Sequence, residues 1–455
     1  MTLVVTSENP INRVVAPRLP SAPMQYQAQY QDQFANVLRL YFNQLDNILG
    51  QLMAATSTLP VSIGGTNTDA FGRVRVSEPY TLFDSQNRFA ADIHFDTATT
   101  GTGSSAWQVN QSSVAMTVTS GGAGSVVRQT FRVFPYQPGK GLLLLLTFVM
   151  SGSTSASLTQ RVGYFSTQNG VFFQRTAGVN SFVLRSYTAG FVSDARTVAQ
   201  SAWNGDKLDG TGASRITLNA SKAQILWKDF EWLGVGSVRC GFIIDGQHIV
   251  CHTFENANEV TAVYMTTAIL PVRYEITSTA AEAATLTQIC CSVVSEGGYE
   301  QTPVTHCARR TTSLTGIGGT FLPLVSIRLA STALGAVVLP SHVNVMPLTS
   351  DTFEVVLVKN PTLGGTPSWS AVPTDSSVEM DTAATSYTGG AIVQSDYVVA
   401  TNQGAIPLST ATGYNWDLQL GVSLAGTSDI YTIGVRTISG TGTAIGTLSF
   451  IDLTQ

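Results

Sequence analysis

The stretch SVRCGFIIDGQHIVCHTF, Ser237 to Phe254, reads as two apolar-alternating runs folded about the dipeptide Asp245-Gly246. Asp-Gly tolerates the positive φ angles that a two-residue turn demands, so the stretch predicts an antiparallel β-hairpin. The same grammar governs most of the chain. From Pro60 onward, short runs rich in Val, Thr, Phe and Tyr, such as SVAMTVTSG, GVFFQRTAGVNSFVLRSYTAG and TFEVVLVKN, alternate with Gly, Ser and Asn clusters. Runs recurring every roughly 8 to 15 residues, with few helix signals between them, point to antiparallel sandwiches or jelly rolls. GLLLLLTFVM, Gly141 to Met150, is the most apolar run; about ten residues cannot cross a bilayer that needs roughly 20, so it reads as a buried strand.

One segment breaks the pattern. In QFANVLRLYFNQLDNILGQLM, Gln33 to Met53, the residues Phe34, Leu38, Tyr41, Leu45, Ile48 and Leu52 follow at spacings of 4, 3, 4, 3 and 4. That period of 3.5 belongs to a coiled-coil seam. Val37, Phe42 and Leu49 widen the stripe, which suits a three-stranded bundle or a helix pressed on a β body. Thr56 to Pro60 is expected to stop it. The preceding NPINRVVAPRLPSAPMQYQAQY reads as an extended arm. The fold expected is mainly β: an N-terminal arm and coiled-coil-like helix (1–60), a large β-sandwich or jelly-roll domain (61–305) and a smaller one (306–455). The second boundary falls near the polar, turn-rich stretch from Gly297 to Leu314.

Charged residues are 12% of the 455, against an apolar share of 44%. Soluble domains usually carry about 25% charge, so the surface must be largely Ser, Thr, Asn and Gln, as in long-lived β assemblies. With net charge −5 and basic pairs only at Arg73/Arg75 and Arg309/Arg310, no stripe exists to neutralise phosphates, and nucleic acid is set aside. Five scattered cysteines, Cys240, Cys251, Cys290, Cys291 and Cys307, argue against a disulfide framework. The opening MTLVVTSENPINRVVAP lacks the pattern of a secretory signal. Neither a signal nor a membrane span is expected, so a protein acting outside the cell would leave by lysis or inside a particle.

Candidate chemistry is sparse. WKDFEW, Trp227 to Trp232, alternates Trp227, Asp229 and Glu231 on one strand face against Phe230 and Trp232 on the other. Carboxylates two residues apart on a strand lie roughly 6 to 7 Å apart, a spacing that glycoside hydrolysis can use. The plainer reading is a solvated strand face. His248, Cys251 and His252, with Cys240 across the hairpin, invite zinc, but alternation places the two histidines on one face and Cys251 on the other. No G-x-S-x-G elbow occurs, and SGGAGS, Ser120 to Ser125, lacks the lysine and helix of a phosphate cradle. No enzyme activity, metal or cofactor is expected.

TDAFGRVRVSEPYTLFDSQNRF, Thr68 to Phe89, resembles a stretch found in virion structural proteins of tailed bacteriophages, especially those of aquatic hosts. Trp232 to Ile276 looks like a β-sandwich segment of the same proteins, and Tyr30 to Leu52 is similar to their N-terminal helix. The resemblance covers the first 300 residues well and the rest weakly. It implies a virion component assembled in the host cytoplasm, and it carries no catalytic residues. Within its motif, Phe71, Gly72, Arg73, Val74 and Arg75 read as a tight turn leading into a half-buried strand. The expectation is a homotrimer attached to head or tail as a fibre, spike or decoration, touching other virion proteins and host-surface carbohydrate. The rivals are a polysaccharide-depolymerising tailspike and a capsid cement protein that never meets the host.

Overall fold

The computed structural model describes residues 19, 25, 28–58, 78–300, 304–372, 376–399, 406–407 and 416–454. The chain divides into two compact units, 1–64 and 65–455. The first holds one helix, Ala28–Thr58, longer at both ends than the seam alone predicted. Its start takes in Ala28 to Tyr30, which had read as part of the arm; the remainder of the arm lies outside the described residues, but for Leu19 and Gln25. Gln29, Gln33 and Arg39 are good helix formers with no Pro or Gly among them, so propensity carries the helix back past the first apolar residue.

The second unit is built from antiparallel sheets around two apolar cores. In the larger body, one sheet runs in the spatial order Gln247–Phe254, Val238–Ile244, Gln224–Phe230, Gly141–Val149, Ala284–Glu296, Ser113–Val118 and Ser104–Gln108, and Tyr80–Gln86 also pairs with Ala284–Glu296. The facing sheet runs Ser193–Ala199, Val179–Ser186, Gly170–Thr176, Leu158–Phe165, Val272–Ser278, Gly124–Thr130 and Phe95–Gly101. The Asp245-Gly246 turn forms as its chemistry requires, with φ of 51° and 76°. Gly141–Val149 sits centrally, between Gln224–Phe230 and Ala284–Glu296. Its Leu142, Leu144, Leu146 and Phe148 are buried in the inter-sheet core, each worth about 1.5–3 kcal/mol of transfer free energy.

The smaller body pairs a sheet centred on Gly442–Asp452 and Val338–Pro347 with one in the order Ser370–Ala371, Val378–Asp381, Leu322–Leu329, Ile430–Thr437, Phe353–Lys359 and Ala391–Val398. Its core is a separate cluster that includes Leu324, Ile327, Phe353, Val435 and Phe450. Segment 416–424 ties the two bodies together. The Trp416 carbonyl accepts from Arg132 (2.7 Å), Gln419 donates to the Val133 carbonyl (2.9 Å), and the Leu424 amide donates to Asp96 (2.7 Å).

Candidate binding cleft

Where segment 416–424 meets the larger body, three loops bring aromatic rings together. Tyr136 follows strand Gly124–Thr130, Trp232 follows strand Gln224–Phe230, and Tyr299 follows strand Ala284–Glu296. Tyr136 and Trp232 stand edge-on, 6.3 Å apart at 88°, and Tyr136 stacks on buried Phe230 at 6.2 Å. Tyr299 stacks on Tyr80 (5.9 Å) and stands edge-on to Trp416 (5.5 Å), whose indole N–H donates to the Tyr80 hydroxyl at 2.9 Å. Offset and edge-on pairs of this kind are worth about 0.5–1.5 kcal/mol each beyond burial, so the rings hold one another in place.

Polar ties fix the walls. The Trp232 indole donates to the Met265 carbonyl (3.2 Å), and the Leu233 amide donates to the Tyr136 hydroxyl (3.4 Å). The Gln137 carboxamide accepts the Glu300 amide at 2.8 Å and donates to the Glu300 carbonyl, clamping the two aromatic loops to each other. Between these walls lies a cleft of about 370 Å³, closed by Thr267 from the larger body and by Leu453 and Thr454 from the smaller. That volume falls in the lower part of the range for small-molecule sites. At its rim the Glu300 carboxylate is 86% exposed, with Lys140 Nζ at 3.7 Å. Burial pushes the Tyr136 phenol above its ordinary range, so it stays a neutral hydroxyl at physiological pH.

A larger groove of about 600 Å³ lies at the ends of Gly141–Val149, Gln224–Phe230 and Val238–Ile244, lined chiefly by Ile216, Leu218, Ile225, Ile243, Ile244 and Ile289. Its central hydroxyl is already engaged. Thr147 Oγ1 donates to the Cys290 carbonyl (3.0 Å) and accepts the Cys290 amide (2.7 Å). The groove offers apolar area with little to orient a ligand, whereas the smaller cleft combines rings with convergent polar groups.

The residues singled out in the sequence lie elsewhere. On the helix, Phe34, Val37, Leu38, Tyr41, Leu45 and Ile48 are half-buried, while Leu40 and Phe42 are 59% and 61% exposed and Leu49 50%. Phe42 and Leu49 stand one residue past Tyr41 and Ile48, about 100° round the helix from the seam. The Leu52 side chain lies outside the described residues, as do Phe71, Gly72, Arg73, Val74 and Arg75.

Asp229 and Glu231 are not on a solvated face. Both are at most 1% exposed, and Arg239 on the neighbouring strand donates Nε to Asp229 Oδ2 at 3.0 Å and Nη2 to the same oxygen. The strand ends at Phe230, and the chain turns through Leu233 and Gly234 with φ of 34° and 78°, so the alternation breaks before Trp232. The two histidines do not share a face either. A bulge skips Cys251 between the Gly241–Val250 and Cys240–His252 pairs, which reverses the parity of the strand. His248 is exposed beside the Trp227 ring (5.9 Å), and His252 is buried against Phe254 (4.5 Å). Burial, with Arg196 nearby, pushes His252 down to about 4. Among the described residues no group of three His, Cys, Asp or Glu side chains is placed to hold a metal, and no helix is long and apolar enough to cross a membrane.

Sequence reasoning missed Lys228. It shares the inward parity of Leu226 and Phe230, is wholly buried, and donates Nζ to the Val171 carbonyl of the facing sheet at 2.6 Å. The signal lies in the alternation of WKDFEW, where Lys228 falls on the face of Phe230.

No family model and no curated protein matches the chain. Among solved structures, it is similar to a protein of unknown function from Shewanella oneidensis MR-1, with 10% identity over 62% of this chain and 100% of that one and a TM-score of 0.32. The carbohydrate recognition domain of Emp46p in its potassium-bound form matches at 9% identity over 49% of this chain and 98% of that one, TM-score 0.31. A legume lectin-like domain from Entamoeba histolytica matches at 10% identity over 44% and 89%, TM-score 0.26. Likeness at this level supports no inference about ligand or role.

Proposed function

We propose that the chain is a structural, non-catalytic protein of a tailed-phage virion. It associates as a trimer through the helix Ala28–Thr58 and presents its β bodies at the particle surface as a fibre, spike or decoration. There they meet adjoining virion proteins and host-surface carbohydrate. The observation that carries this reading is the helix itself: it belongs to a unit of its own, and Phe34, Leu38, Tyr41, Leu45 and Ile48 at heptad spacing are half-buried while Leu40, Phe42 and Leu49 are exposed. An amphipathic helix of that length gains most of its stability from packing its apolar face, and a 3.5-residue period selects other helices as the partner. The charge-poor composition and the resemblance of Thr68–Phe89 and Trp232–Ile276 to virion proteins support the same reading.

The test is the solution mass of the full chain beside a form lacking residues 1–56. A trimer that becomes a monomer on truncation supports the reading. A monomeric full-length chain overturns it, and release of oligosaccharide from host capsule or lipopolysaccharide by the purified protein overturns its non-catalytic part.

A further inference from the structure

The cleft between the two bodies has a chemistry that narrows its ligand. Its ring-bearing walls are uncharged: Tyr136, Trp232 and Tyr299 offer π faces and edges, and the Tyr136 phenol is held neutral. Its polar groups are hydroxyls, a carboxamide and one carboxylate. Thr267 Oγ1 accepts the Ile269 amide at 3.0 Å and keeps its own proton to donate. Glu300 presents acceptor oxygens at the rim, and the Lys140 charge sits close beside that carboxylate. The Lys140–Glu300 pair sets opposite charges side by side at the rim, so neither selects a charged ligand, and a long apolar chain would bury the Glu300 and Thr267 groups without replacing their hydrogen bonds to water. A pyranose meets every requirement. One face is a sheet of C–H groups that lies on an aromatic ring, and its edge carries hydroxyls that pair with carboxylates and threonines.

We infer that the cleft lined by Tyr136, Trp232, Tyr299, Thr267 and Glu300 binds neutral saccharide. This rests on the preceding reading only for the contact with host carbohydrate, to which it assigns a place and a ligand class. The site exists because the two β bodies are tied together: Tyr299 is held by Tyr80 and Trp416, and Trp416 belongs to the segment that docks the smaller body. Prealigned rings spend little conformational entropy on binding, which favours affinity at this site.

The test uses the full chain and an array of neutral hexose and N-acetylhexosamine oligosaccharides, with a proline-rich decapeptide as counter-probe, because aromatic grooves also accept polyproline segments. Binding is read by quenching of tryptophan fluorescence and by saturation-transfer NMR, and the mass of the assembly is measured in the same samples. At least one array member is expected to bind. Trp232→Ala should weaken it about two- to tenfold, the scale of one lost stacking contact. Trp232 also braces its loop, so Glu300→Gln, an exposed isosteric change, is the second variant and should weaken binding by about three- to tenfold through the loss of a charge-assisted hydrogen bond. Binding by the peptide alone, no binding by any saccharide, or saccharide binding indifferent to both variants overturns the inference. Such a failure with the trimer intact leaves the assembly reading standing, and a monomer that still binds saccharide at this cleft separates the two in the other direction.

Discussion

Lys228 on one sheet of the larger body donates Nζ to the Val171 carbonyl on the other at 2.6 Å, across the apolar core between them. Burial lowers the Lys228 ammonium from 10.5 to about 7, with nearby Cys240 pulling weakly the other way. From about pH 7 to pH 10 the unfolded chain therefore holds a proton that the folded chain lacks, and stability rises with pH across that window. Lys228→Met should flatten the rise. It should also leave the protein at least as stable at pH 7, by on the order of 1 kcal/mol, since an apolar side chain of similar length replaces a buried cation. Urea unfolding midpoints measured from pH 6 to 10 on both proteins check this.

Glu275 works in the opposite sense. Burial alone would raise its carboxyl, but the guanidinium of Arg273 and then that of Arg161, at 2.8 and 2.7 Å, outweigh burial and hold it below its ordinary 4.5. Its stabilisation is complete above pH 4.5 and is lost as acid takes the pH down through the depressed value. Glu275→Gln should cost about 3 kcal/mol at pH 7, because two guanidinium groups lose their shared counter-charge. The variant should also lose less stability than the parent between pH 5 and pH 2. Thermal unfolding across that range is the measurement.

Gly241 sits in the hairpin opposite the bulge, where a methyl group would lie 1.9 Å from the Ile249 carbonyl oxygen and 2.9 Å from the Trp227 indole nitrogen. Neither neighbour is a free side-chain end, so the backbone must move. Gly241→Ala is expected to cost roughly 2 kcal/mol, in the range for overpacked cores. Gly246→Ala one turn away meets nothing within 4 Å but must keep a φ of 76°, and should cost less, about 1 kcal/mol. Chemical denaturation of the two variants side by side gives the ranking.

The helix seam makes a positional prediction. If the chain assembles as the proposed trimer, Leu38→Asp or Leu45→Asp, at half-buried heptad positions, should convert it to monomer. Leu40→Asp, at a position 59% exposed, should leave the assembly intact. Sedimentation velocity on the parent and the three variants is the measurement, and a parent already monomeric, or a trimer indifferent to Leu38→Asp and Leu45→Asp, rules the seam out.

The amino-acid sequence by itself determined the elements. Among the described residues, period-2 alternation, β-branched residues and turn dipeptides made the strands and hairpins from Tyr80 onward, and period-3.5 spacing made the α-helix, because both signals act over a few residues. Tertiary structure decided which faces those elements present. One bulge at Cys251 reversed the parity of a strand and parted His248 from His252; the strand end at Phe230 and the turn through Leu233 and Gly234 broke the alternation before Trp232. The cleft was beyond reach for the same physical reason: Tyr136, Trp232, Tyr299 and Trp416 are separated by tens of residues or more, and only sheet order and the docking of segment 416–424 bring their rings into contact.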